Sequence, residues 1–337
     1  MRFRYPLSIL LLVSLFLWII SPWSSNAFVP RNNHPVPSYI INPYRYICWA
    51  STLRLRANLH THTMASDGRE HADEKLRLYA EAGFDVVAIT DHDTFAGTQS
   101  TGLRIIDGRE MLVIQGVEVS RRHHFVSLFT DTAQFSARNS LELLQANYDQ
   151  SDAIMFLAHP SRYNYSVNWY MDVFSRFSSD RLVGMEVINQ GMRYNEGCIL
   201  LWDELLTEKA PERAIWGIST DDAHRREHIG LSYMIFLVSA NNQDAIIVAL
   251  QSGHSFLTNR VVQGQLLPQV NYINVCNKAL TIQIDAEYSN QIQWISRGDV
   301  VATGSQISVT ELDLRAYVRF VITNSAGQIF SQPFLLS

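Results

Sequence analysis

The chain has 337 residues, 47% of them hydrophobic, and a formal net charge of −5 at pH 7. This length can bury one large core and still carry a small accessory domain. The acidic balance and the lack of a basic stripe exclude a non-specific nucleic-acid binder, so we expect no stable nucleic-acid partner.

The first 27 residues have the pattern of an export signal. Arg2 and Arg4 precede an apolar run at residues 7–20, and small residues follow as far as Ala27. This pattern predicts a signal peptide at 1–27 and an exported protein that is periplasmic, secreted or envelope-associated. The run is short for a spanning helix, which needs about 20 apolar residues. An uncleaved anchor, with a membrane tether through residues 7–20, is the alternative.

Residues 28–52 are rich in Pro, Asn, Ser and Tyr and show neither strand nor helix periodicity, so they are interpreted as a leader or linker on the surface. Cys48, Cys198 and Cys276 form no CxxC pair. A disulfide framework or a cysteine-rich zinc site is therefore not expected, and the exported chain would hold one disulfide or none.

From residue 53 to residue 265, short apolar runs alternate with amphipathic stretches. The strand-like runs are Leu53–Leu59, Asp85–Thr90, Met111–Val119, Phe125–Thr130, Ala153–Ala158, Leu182–Ile188, Ala214–Ser219 and Leu231–Val238. The helix-like stretches are Glu70–Ala82, Ser140–Tyr148, Val167–Phe177, Gly197–Glu208 and Asn242–Gln251. This alternation predicts an α/β fold of parallel strands with crossover helices.

Imidazole and carboxylate side chains recur at the ends of these runs. They are His60, His62, Asp67, His92, Glu118, His124, His159, Asp222 and His224, with Asp91 beside His92. In a β/α barrel, the loops at the carboxyl ends of the strands converge on one mouth. His60 and His62 stand at positions i and i+2, which project to the same face of an extended chain. One such histidine is commonly structural, but recurrence at successive strand ends predicts a metal centre.

Residues 266–337 have a different pattern. Short alternating runs are joined by polar or glycine-containing turns, and the runs are Ala279–Ala286, Gln291–Ser296, Ile307–Val309, Ala316–Thr323 and Gln328–Phe334. This spacing predicts a small all-β, sandwich-like accessory domain. The Arg-Gly-Asp triplet at Arg297–Asp299 is interpreted as a turn.

The ordered motifs resemble those of a known family. The series N-L-H-T-H-T…S-D-G, A-I-T-D-H-D-T, G-V-E-V-S, a following His, A-H-P and D-D-A-H is similar to that of the PHP superfamily, named for polymerase and histidinol phosphatase. The resemblance extends from about Asn58 to His224 and implies a distorted seven-stranded β/α barrel with two or three divalent metal ions. The tail resembles the β-rich domain that follows the barrel in the branch that hydrolyses carbamates.

The resemblance also implies how the ligands are shared. A first metal would be held by His60, His62, Glu118 and Asp222. Glu118 would bridge to a second metal held by His124 and His159, and a third would take Asp67, His92 and His224. A carboxylate suits the bridging role because it has two oxygens. Nitrogen and oxygen ligands without thiolate are compatible with Zn, Mn or Fe.

Two ligand positions require a choice between neighbours. His124 is preferred to His123 because it directly precedes the apolar run at residues 125–129, as the family's ligand does. Asp222 is preferred to Asp221 because the D-x-H spacing to His224 selects it.

Several residues near the motifs are candidates for other roles. Asp91 or Asp93 would support the ligand imidazole of His92, or would cap a turn instead. Arg162 would bind a substrate phosphate oxygen, or would be a solvated loop residue. Weaker candidates for the mouth are Arg193, Arg225, Arg226 and Asn189, whereas His71, His228 and His254 are interpreted as structural or exposed.

These inferences favour a metal-dependent hydrolase, specifically a phosphoesterase that acts on a small phosphomonoester, nucleotide or oligonucleotide through a metal-bound hydroxide. Glu118, Asp91 and Arg162 are its candidate catalytic residues. Carbamate or carboxyl-ester hydrolysis is the runner-up because of the β-rich tail. A non-catalytic, metal-stabilised binding protein is the rival class, and the oligomeric state is left open.

Overall fold

A computed structural model describes residues 36–97, 100–190, 195–261 and 264–337. The predicted signal peptide or anchor at 1–27 and the start of the predicted leader lie outside the described residues. Among the helices that are described, none combines the length and the apolar character that a membrane crossing requires.

Strands and helices alternate in the first part of the chain largely where the sequence predicts them. The strands are β1 (Ile40–Ile41), β2 (Leu53–Asn58), β3 (Val86–Ile89), β4 (Gly102–Ile106), β5 (Arg109–Val119), β6 (Phe125–Leu128), β7 (Ile154–Leu157), β8 (Leu182–Asn189), β9 (Trp216–Thr220), β10 (Met234–Val238) and β11 (Ser255–Arg260). The helices are α1 (Ala72–Glu81), α2 (Ser140–Gln150), α3 (Val167–Arg176), α4 (Asn195–Lys209) and α5 (Gln243–Ser252). Each of these five helices agrees with its prediction to within two residues at either end.

Local capping explains why the helix bounds were predictable. The side chains of Asn139, Ser166 and Asn242 each accept a hydrogen bond from the backbone N–H three residues further on, at the starts of α2, α3 and α5. These residue types satisfy N–H groups that have no partner inside the helix. Helix α5 ends at Gly253, whose φ of 69° is left-handed and costs glycine little.

The barrel strands follow one another in the order β10-β2-β3-β5-β6-β7-β8-β9. Strands β2–β3, β3–β5, β7–β8 and β8–β9 pair in parallel, as predicted. The expectation of parallel strands is wrong for β6, which is antiparallel to β5 and β7, and for β10, which is antiparallel to β2. Only residues 120–124 join β5 to β6, too few for a crossover, which needs a dozen or more residues.

Strand β4 was not predicted from the sequence. It pairs with the start of β5 in a hairpin whose two turn residues, Asp107 and Gly108, have φ values of 48° and 76°. An Asp-Gly pair with two positive φ angles is typical of a tight hairpin turn. The signal was therefore present, although β4 itself carries only half-buried and exposed side chains.

Five central strands are buried along their whole length, namely β3, β6, β7, β8 and β9. Strands covered on both faces are continuous apolar runs rather than alternating ones. A Cβ atom on Gly184 would lie 1.8 Å from the carbonyl oxygen of Trp216. The close approach of β8 to β9 therefore requires glycine at this position.

The tail extends the barrel sheet and adds a second sheet, and its apolar core also contains residues of β10 and β11. Its strands are β12 (Val270–Cys276), β13 (Thr281–Ala286), β14 (Ile292–Ser296), β15 (Asp299–Thr303), β16 (Gln306–Ser308), β17 (Ala316–Asn324), β18 (Gly327–Ser331) and β19 (Phe334–Leu336). Strand β18 pairs with β11, so the barrel sheet continues through β18 and β17, whereas β12, β13 and β16 form a second sheet. Val270, Ile282, Trp294 and Phe320 lie in the shared apolar core. The β-rich tail is therefore present, with β12 and β15 added to the predicted strands.

The described part of residues 28–52 is anchored rather than loose. Strand β1 pairs with β19. Tyr44 is 1% exposed, and its hydroxyl donates to the carbonyl of Ser255 at 3.1 Å and accepts from the backbone N–H of Gln332 at 2.9 Å. The described part of this segment therefore has one paired strand and one buried tyrosine that the sequence did not predict. All three cysteines are described, and all three are free thiols.

Candidate metal centre

The nine predicted ligands come together at one end of the barrel. Most of them lie at the carboxyl end of a strand or in the segment that follows it, as predicted for parallel strands. His124 instead precedes β6, and because β6 runs antiparallel, its amino end lies at the same mouth. Isolated bridges pair Thr61 with Ala223 and His92 with Glu118, which ties these loops to one another.

Four donor atoms meet in the arrangement predicted for the first metal. They are His60 Nε2, His62 Nε2, Glu118 Oε2 and Asp222 Oδ1. The two nitrogens are 3.1 Å apart, and each lies 2.9–3.4 Å from the two carboxylate oxygens. A tetrahedral zinc ion with bonds of about 2.0–2.1 Å needs ligands roughly 3.3 Å apart. Five of the six distances among the four atoms are therefore close to those around one tetrahedral ion, whereas Glu118 and Asp222 fall in different donor groups.

Hydrogen bonding indicates that His60 Nε2, Glu118 Oε2 and Asp222 Oδ1 each direct a lone pair toward the centre of the group. His60 Nδ1 lies 2.8 Å from Glu186 Oε1, which assigns the proton of the neutral ring to Nδ1 and a lone pair to Nε2. Glu118 Oε2 and Asp222 Oδ1 are buried and accept no hydrogen bond from the described residues, although His92 Nδ1 and His62 Nε2 lie 2.9 Å from them. Buried acceptors without a donor are costly. A cation at the point where these atoms meet would satisfy all of them.

The other oxygen of Glu118 faces a different pair of rings. Glu118 Oε1 lies 2.8 Å from His124 Nδ1 and 3.0 Å from His159 Nε2. A carboxylate with its two oxygens toward two donor sets has the geometry of a bridging ligand. By donor-atom proximity, however, His124 groups with Glu118 and His92, and His159 groups with His60 and Asp222. His124 and His159, which were predicted to hold the second metal together, therefore lie in two different donor groups.

The third predicted group lies at the solvent side of the centre. Asp67 Oδ2 is 3.3 Å from His224 Nε2 and 3.6 Å from His92 Nε2, and Asp67 Oδ1 is 3.7 Å from His62 Nδ1. The structure therefore adds His62 to the predicted set. The Asp67 side chain is 55% exposed, so this is the group that incoming solutes reach first.

The buried part of the centre has an excess of negative charge. Glu118, Glu186 and Asp222 are 0–6% exposed, and the cationic groups that face them among the described residues are imidazoles. Burial alone would raise the pKa of Glu118, but the imidazoles of His60, His124 and His159 lower it well below its usual range. Burial likewise opposes protonation of His60, yet the surrounding carboxylates raise its pKa well above its usual range. Divalent cations would neutralise this excess.

The structure shows which residue of each adjacent pair, His123 and His124 or Asp221 and Asp222, points into the cluster. His123 turns away from the centre, with Nδ1 2.8 Å from the carbonyl of His124 and Nε2 3.0 Å from the hydroxyl of Tyr170. Asp221 accepts from the backbone N–H groups of residues 230–232 at 2.8–2.9 Å. His124 and Asp222 are therefore the members of each pair that point into the cluster, as the motif spacing indicated.

The expected support of His92 by Asp91 or Asp93 is wrong. Asp91 accepts from the backbone N–H and hydroxyl of Thr63, both at 2.7 Å, and from the hydroxyl of Ser66 at 2.6 Å. Asp93 binds the backbone and hydroxyl of Ser120. Both carboxylates hold loops, which is the turn-capping alternative. The catalytic role predicted for Asp91 has no contact that supports it.

The candidate arginines are close to ligands in sequence. Arg162 is exposed and ends a 3-10 turn, Pro160–Arg162, that directly follows His159. Arg225 and Arg226 are exposed and follow His224. Arg226 lines a cavity with Arg56, Leu78 and Glu81, away from the donor groups. Arg193 lies outside the described residues.

The histidines set aside in the sequence lie apart from the donor groups. His71 is the residue before α1, and His228 ends a 3-10 turn at Arg226–His228. His254 follows α5, and burial lowers its pKa. None of these three belongs to a donor group of the described residues.

Sequence analysis missed Glu186. It lies in β8, where every residue is buried, and its carboxylate contacts His60. A lone carboxylate in the apolar run M-E-V-I-N was the available signal, because an acidic side chain is almost never fully buried unless it is paired. Asn189, a weak candidate for the mouth, is buried beside Glu186 and donates to it at 2.7 Å.

Two of the ligands have strained backbone. His159 has a φ of 27° and Asp222 a φ of 45°, a region that costs a residue with a side chain free energy. Such conformations persist only where the surrounding structure imposes them. Their position at the cluster indicates that donor placement has taken precedence over local backbone preference.

The fold and the cluster together define a metal-dependent hydrolase. Residues 58–202, a little less than half of the chain, match the family model of the PHP domain. No curated protein matches the chain.

Solved structures with similar folds cover different shares of the chain. A two-domain protein from Bacteroides vulgatus containing a predicted PHP-like metal-dependent phosphoesterase is 14% identical, with 90% of this chain and 98% of that chain covered and a TM-score of 0.47. A lesion-specific endonuclease from Pyrococcus furiosus is 14% identical, with 59% and 56% covered and a TM-score of 0.40. An amidohydrolase from Chromobacterium violaceum is 15% identical, with 50% and 87% covered and a TM-score of 0.35.

Proposed function

We propose that this protein is a phosphoesterase that hydrolyses a small phosphomonoester, a nucleotide or a short oligonucleotide. The observation that carries the proposal is the meeting of nine ligand residues in overlapping donor groups, in which the two oxygens of Glu118 face the imidazoles of five of the others. Two or three divalent ions, of Zn, Mn or Fe, would occupy these donors.

The charge of the mouth favours an anionic substrate. Exposed arginines lie close in sequence to four of the ligands, namely Arg69 after Asp67, Arg122 before His124, Arg162 after His159 and Arg225 after His224. The donors inside this rim are acidic or neutral. A basic rim raises the local concentration of anions, and guanidinium groups match the geometry of phosphate oxygens. A neutral ester or carbamate would gain nothing from such a rim.

The residues would divide the work as follows. When bound, the ions would supply an activated water and would polarise the phosphoester oxygens. Glu118 would fix the spacing of two donor sets, and Asp67, His92 and His224 would form the side that meets the substrate. Arg162 would hold a non-bridging phosphate oxygen. Asp91 would contribute by holding the loop at residues 63–66 that leads to Asp67.

The test is a turnover panel on protein stripped with chelator and then reloaded with Mn²⁺, Zn²⁺ or Fe²⁺. Substrates are 4-nitrophenyl phosphate, bis(4-nitrophenyl) phosphate, 5′-nucleotides, 4-nitrophenyl acetate and an aryl carbamate. Asp222→Asn keeps side-chain volume but removes a ligand charge, and Asp244→Asn, at the exposed start of α5, is the matched control.

Each outcome decides between the candidate functions. Metal-dependent phosphate release that Asp222→Asn abolishes and Asp244→Asn retains would support the proposal. Turnover of the acetate or carbamate alone would replace it with the carbamate or ester hydrolase. Tight metal binding without any turnover would favour the non-catalytic binding protein.

We also propose that the protein is exported, on the basis of residues 1–27 alone. Fractionation of expressing cells, with sequencing of the mature amino terminus, tests this. A new terminus near residue 28 in an extracytoplasmic fraction is expected, and an intact terminus in the membrane fraction would favour the tether through residues 7–20.

A further inference from the structure

A second layer of side chains lies behind the donor atoms, centred on Glu186. Its carboxylate accepts four hydrogen bonds. Oε1 accepts from His60 Nδ1 at 2.8 Å and from the hydroxyl of Thr220 at 2.6 Å. Oε2 accepts from the backbone N–H of His159 at 2.8 Å and from Asn189 Nδ2 at 2.7 Å. All four partners donate, so both Oε1 and Oε2 of residue 186 must act as acceptors.

Asn189 extends this layer to another ligand. Its Nδ2 also donates to Asp222 Oδ2 at 3.2 Å. That bond engages one oxygen of Asp222 and leaves Oδ1 without a hydrogen-bond donor of the described residues, 2.9 Å from His62 Nε2. Hydrogen bonds from this layer therefore hold Nδ1 of His60 and Oδ2 of Asp222. The other donor atom of each ligand, Nε2 of His60 and Oδ1 of Asp222, is left to face the cluster.

The same carboxylate supports the strained turn at His159. With a φ of 27°, that residue needs its backbone held from outside. The hydrogen bond from its N–H to Glu186 is buried and charge-assisted, which makes it stronger than a neutral one. Glu186 thus touches ligands that follow β2 and β7 and, through Asn189, one that follows β9.

We propose that Glu186, together with Asn189, is the positioning element of the metal centre. It keeps His60 in the form whose Nε2 lone pair faces the cluster, and it holds His159 and Asp222 in the strained conformations that aim them there. This inference rests on the metal centre of the proposed function. Neither residue touches substrate, so the effect is on the ligands.

The test is zinc affinity of the full chain by competition with a chromophoric chelator. Glu186→Gln keeps the shape, but the amide offers one acceptor oxygen and turns its NH₂ toward two donors in either orientation. Partners of this kind typically change metal affinity by on the order of 10- to 100-fold, and we expect a loss in that range. Glu204→Gln is the matched control, because it makes the same chemical change at an exposed position of α4, and it should bind zinc as wild type does.

A second readout follows the hydrogen bond itself. In zinc-loaded, ¹⁵N-labelled protein, the Nδ1 proton of His60 should resonate far downfield and exchange slowly, because it is donated to a buried carboxylate. Its signal is assigned by its absence from His60→Gln. The signal should shift upfield and exchange faster in Glu186→Gln but stay unchanged in Glu204→Gln, which a merely structural role of Glu186 would not produce.

The zinc-binding experiment distinguishes a failure of this inference from a failure of the proposed function. Wild-type protein that binds no zinc would refute the metal centre. Wild-type protein that binds zinc while Glu186→Gln binds it equally well, with an unchanged His60 signal, would overturn the positioning role alone. If Glu186→Gln does not fold, Asn189→Ala, which releases Asp222 Oδ2, should weaken zinc binding, and unchanged affinity there would equally overturn it.

Discussion

Asp203 on α4 and Arg319 on β17 form a buried, two-pronged ion pair between the barrel and the C-terminal sheet. Arg319 Nε donates to Asp203 Oδ1 at 2.8 Å, and Arg319 Nη2 donates to Oδ2 at 2.7 Å. The hydroxyl of Tyr317 donates to the same Oδ1 at 2.6 Å, and the guanidinium lies over the ring of Trp202. Both charged side chains are at most 4% exposed, so neither could be hydrated if its partner were removed.

Asp203→Asn should therefore lower the free energy of unfolding by about 3–5 kcal/mol, because it leaves the Arg319 charge buried without a counter-ion. The measurement is urea denaturation followed by tryptophan fluorescence. Asp172→Asn breaks an exposed pair with Arg176 on α3 and serves as the control, with an expected loss below about 1 kcal/mol. Equal losses in the two variants would show that burial of the Asp203 pair is unimportant.

Glu118→Gln is expected to abolish turnover and to lower bound metal by more than one ion per chain. The reason is that both oxygens of Glu118 face imidazole donors, and an amide cannot replace a charged bridge. Metal content is measured by mass spectrometry of purified protein and turnover on the best substrate of the panel. Glu110→Gln, at the exposed start of the same strand, should match wild type in both. Full activity in Glu118→Gln would end the bridging assignment.

The metal ligands could be predicted from the sequence, but the hydrogen-bond partners of the residues behind them could not. His60, His92 and Asp222 could be found because strand ends are marked by a change from apolar to polar residues, and barrel geometry brings such ends together. The contacts of Asp91 and Glu186 depend on which loop or ring lies within hydrogen-bond distance. Residue spacing along one chain carries no such information, so the role of Asp91 stayed open between support of His92 and a turn cap, and Glu186 was missed.

Strand direction was the other feature that the sequence did not reveal. Apolar runs such as β6 and β7 look alike whether they pair in parallel or antiparallel, because both are buried on two faces. The short link at residues 120–124 was the available evidence that β6 reverses. That reversal explains why a ligand precedes β6 when the other ligands follow their strands.

Metal binding should weaken as pH falls, starting above the titration range of free histidine. Burial opposes protonation of His60, His92 and His159, but nearby carboxylates, Glu118 in all three cases, outweigh it and raise each pKa. Because metals bind neutral imidazole, protons compete with them from the raised pKa values downward. Zinc affinity measured across pH tests this, and an affinity that began to fall only below about pH 6, under the usual histidine pKa of about 6.5, would contradict it.

The same pKa shifts predict how the metal-free protein responds to pH. A raised histidine pKa stabilises the folded chain below the unfolded value of about 6.5, and that stabilisation is lost as pH rises through the folded pKa. Bound cations would replace it. The gap in Tm between metal-loaded and chelator-treated protein should therefore widen as pH rises above about 6.5 and through the raised pKa values. His60→Gln, which lacks one of the shifted groups, should flatten the pH dependence of the chelated form, and an unchanged slope would argue against the assignment.

Arg162→Ala should raise KM for a phosphate ester with little change in kcat or metal content. The side chain is exposed and lies three residues after His159, so it is a candidate to contact substrate without contributing a donor to the cluster. A charge-assisted hydrogen bond contributes about 1.5–3 kcal/mol, which corresponds to a KM increase of roughly 10- to 100-fold if the contact forms equally in the ground and transition states. Arg138→Ala, whose side chain is 90% exposed near α2, is the matched control and should leave KM unchanged. Arg162→Lys should recover part of the loss, because lysine keeps the charge but not the forked donor geometry. Equal KM values for wild type and Arg162→Ala would remove Arg162 from the substrate site and would leave the remaining arginines of the rim to account for anion binding.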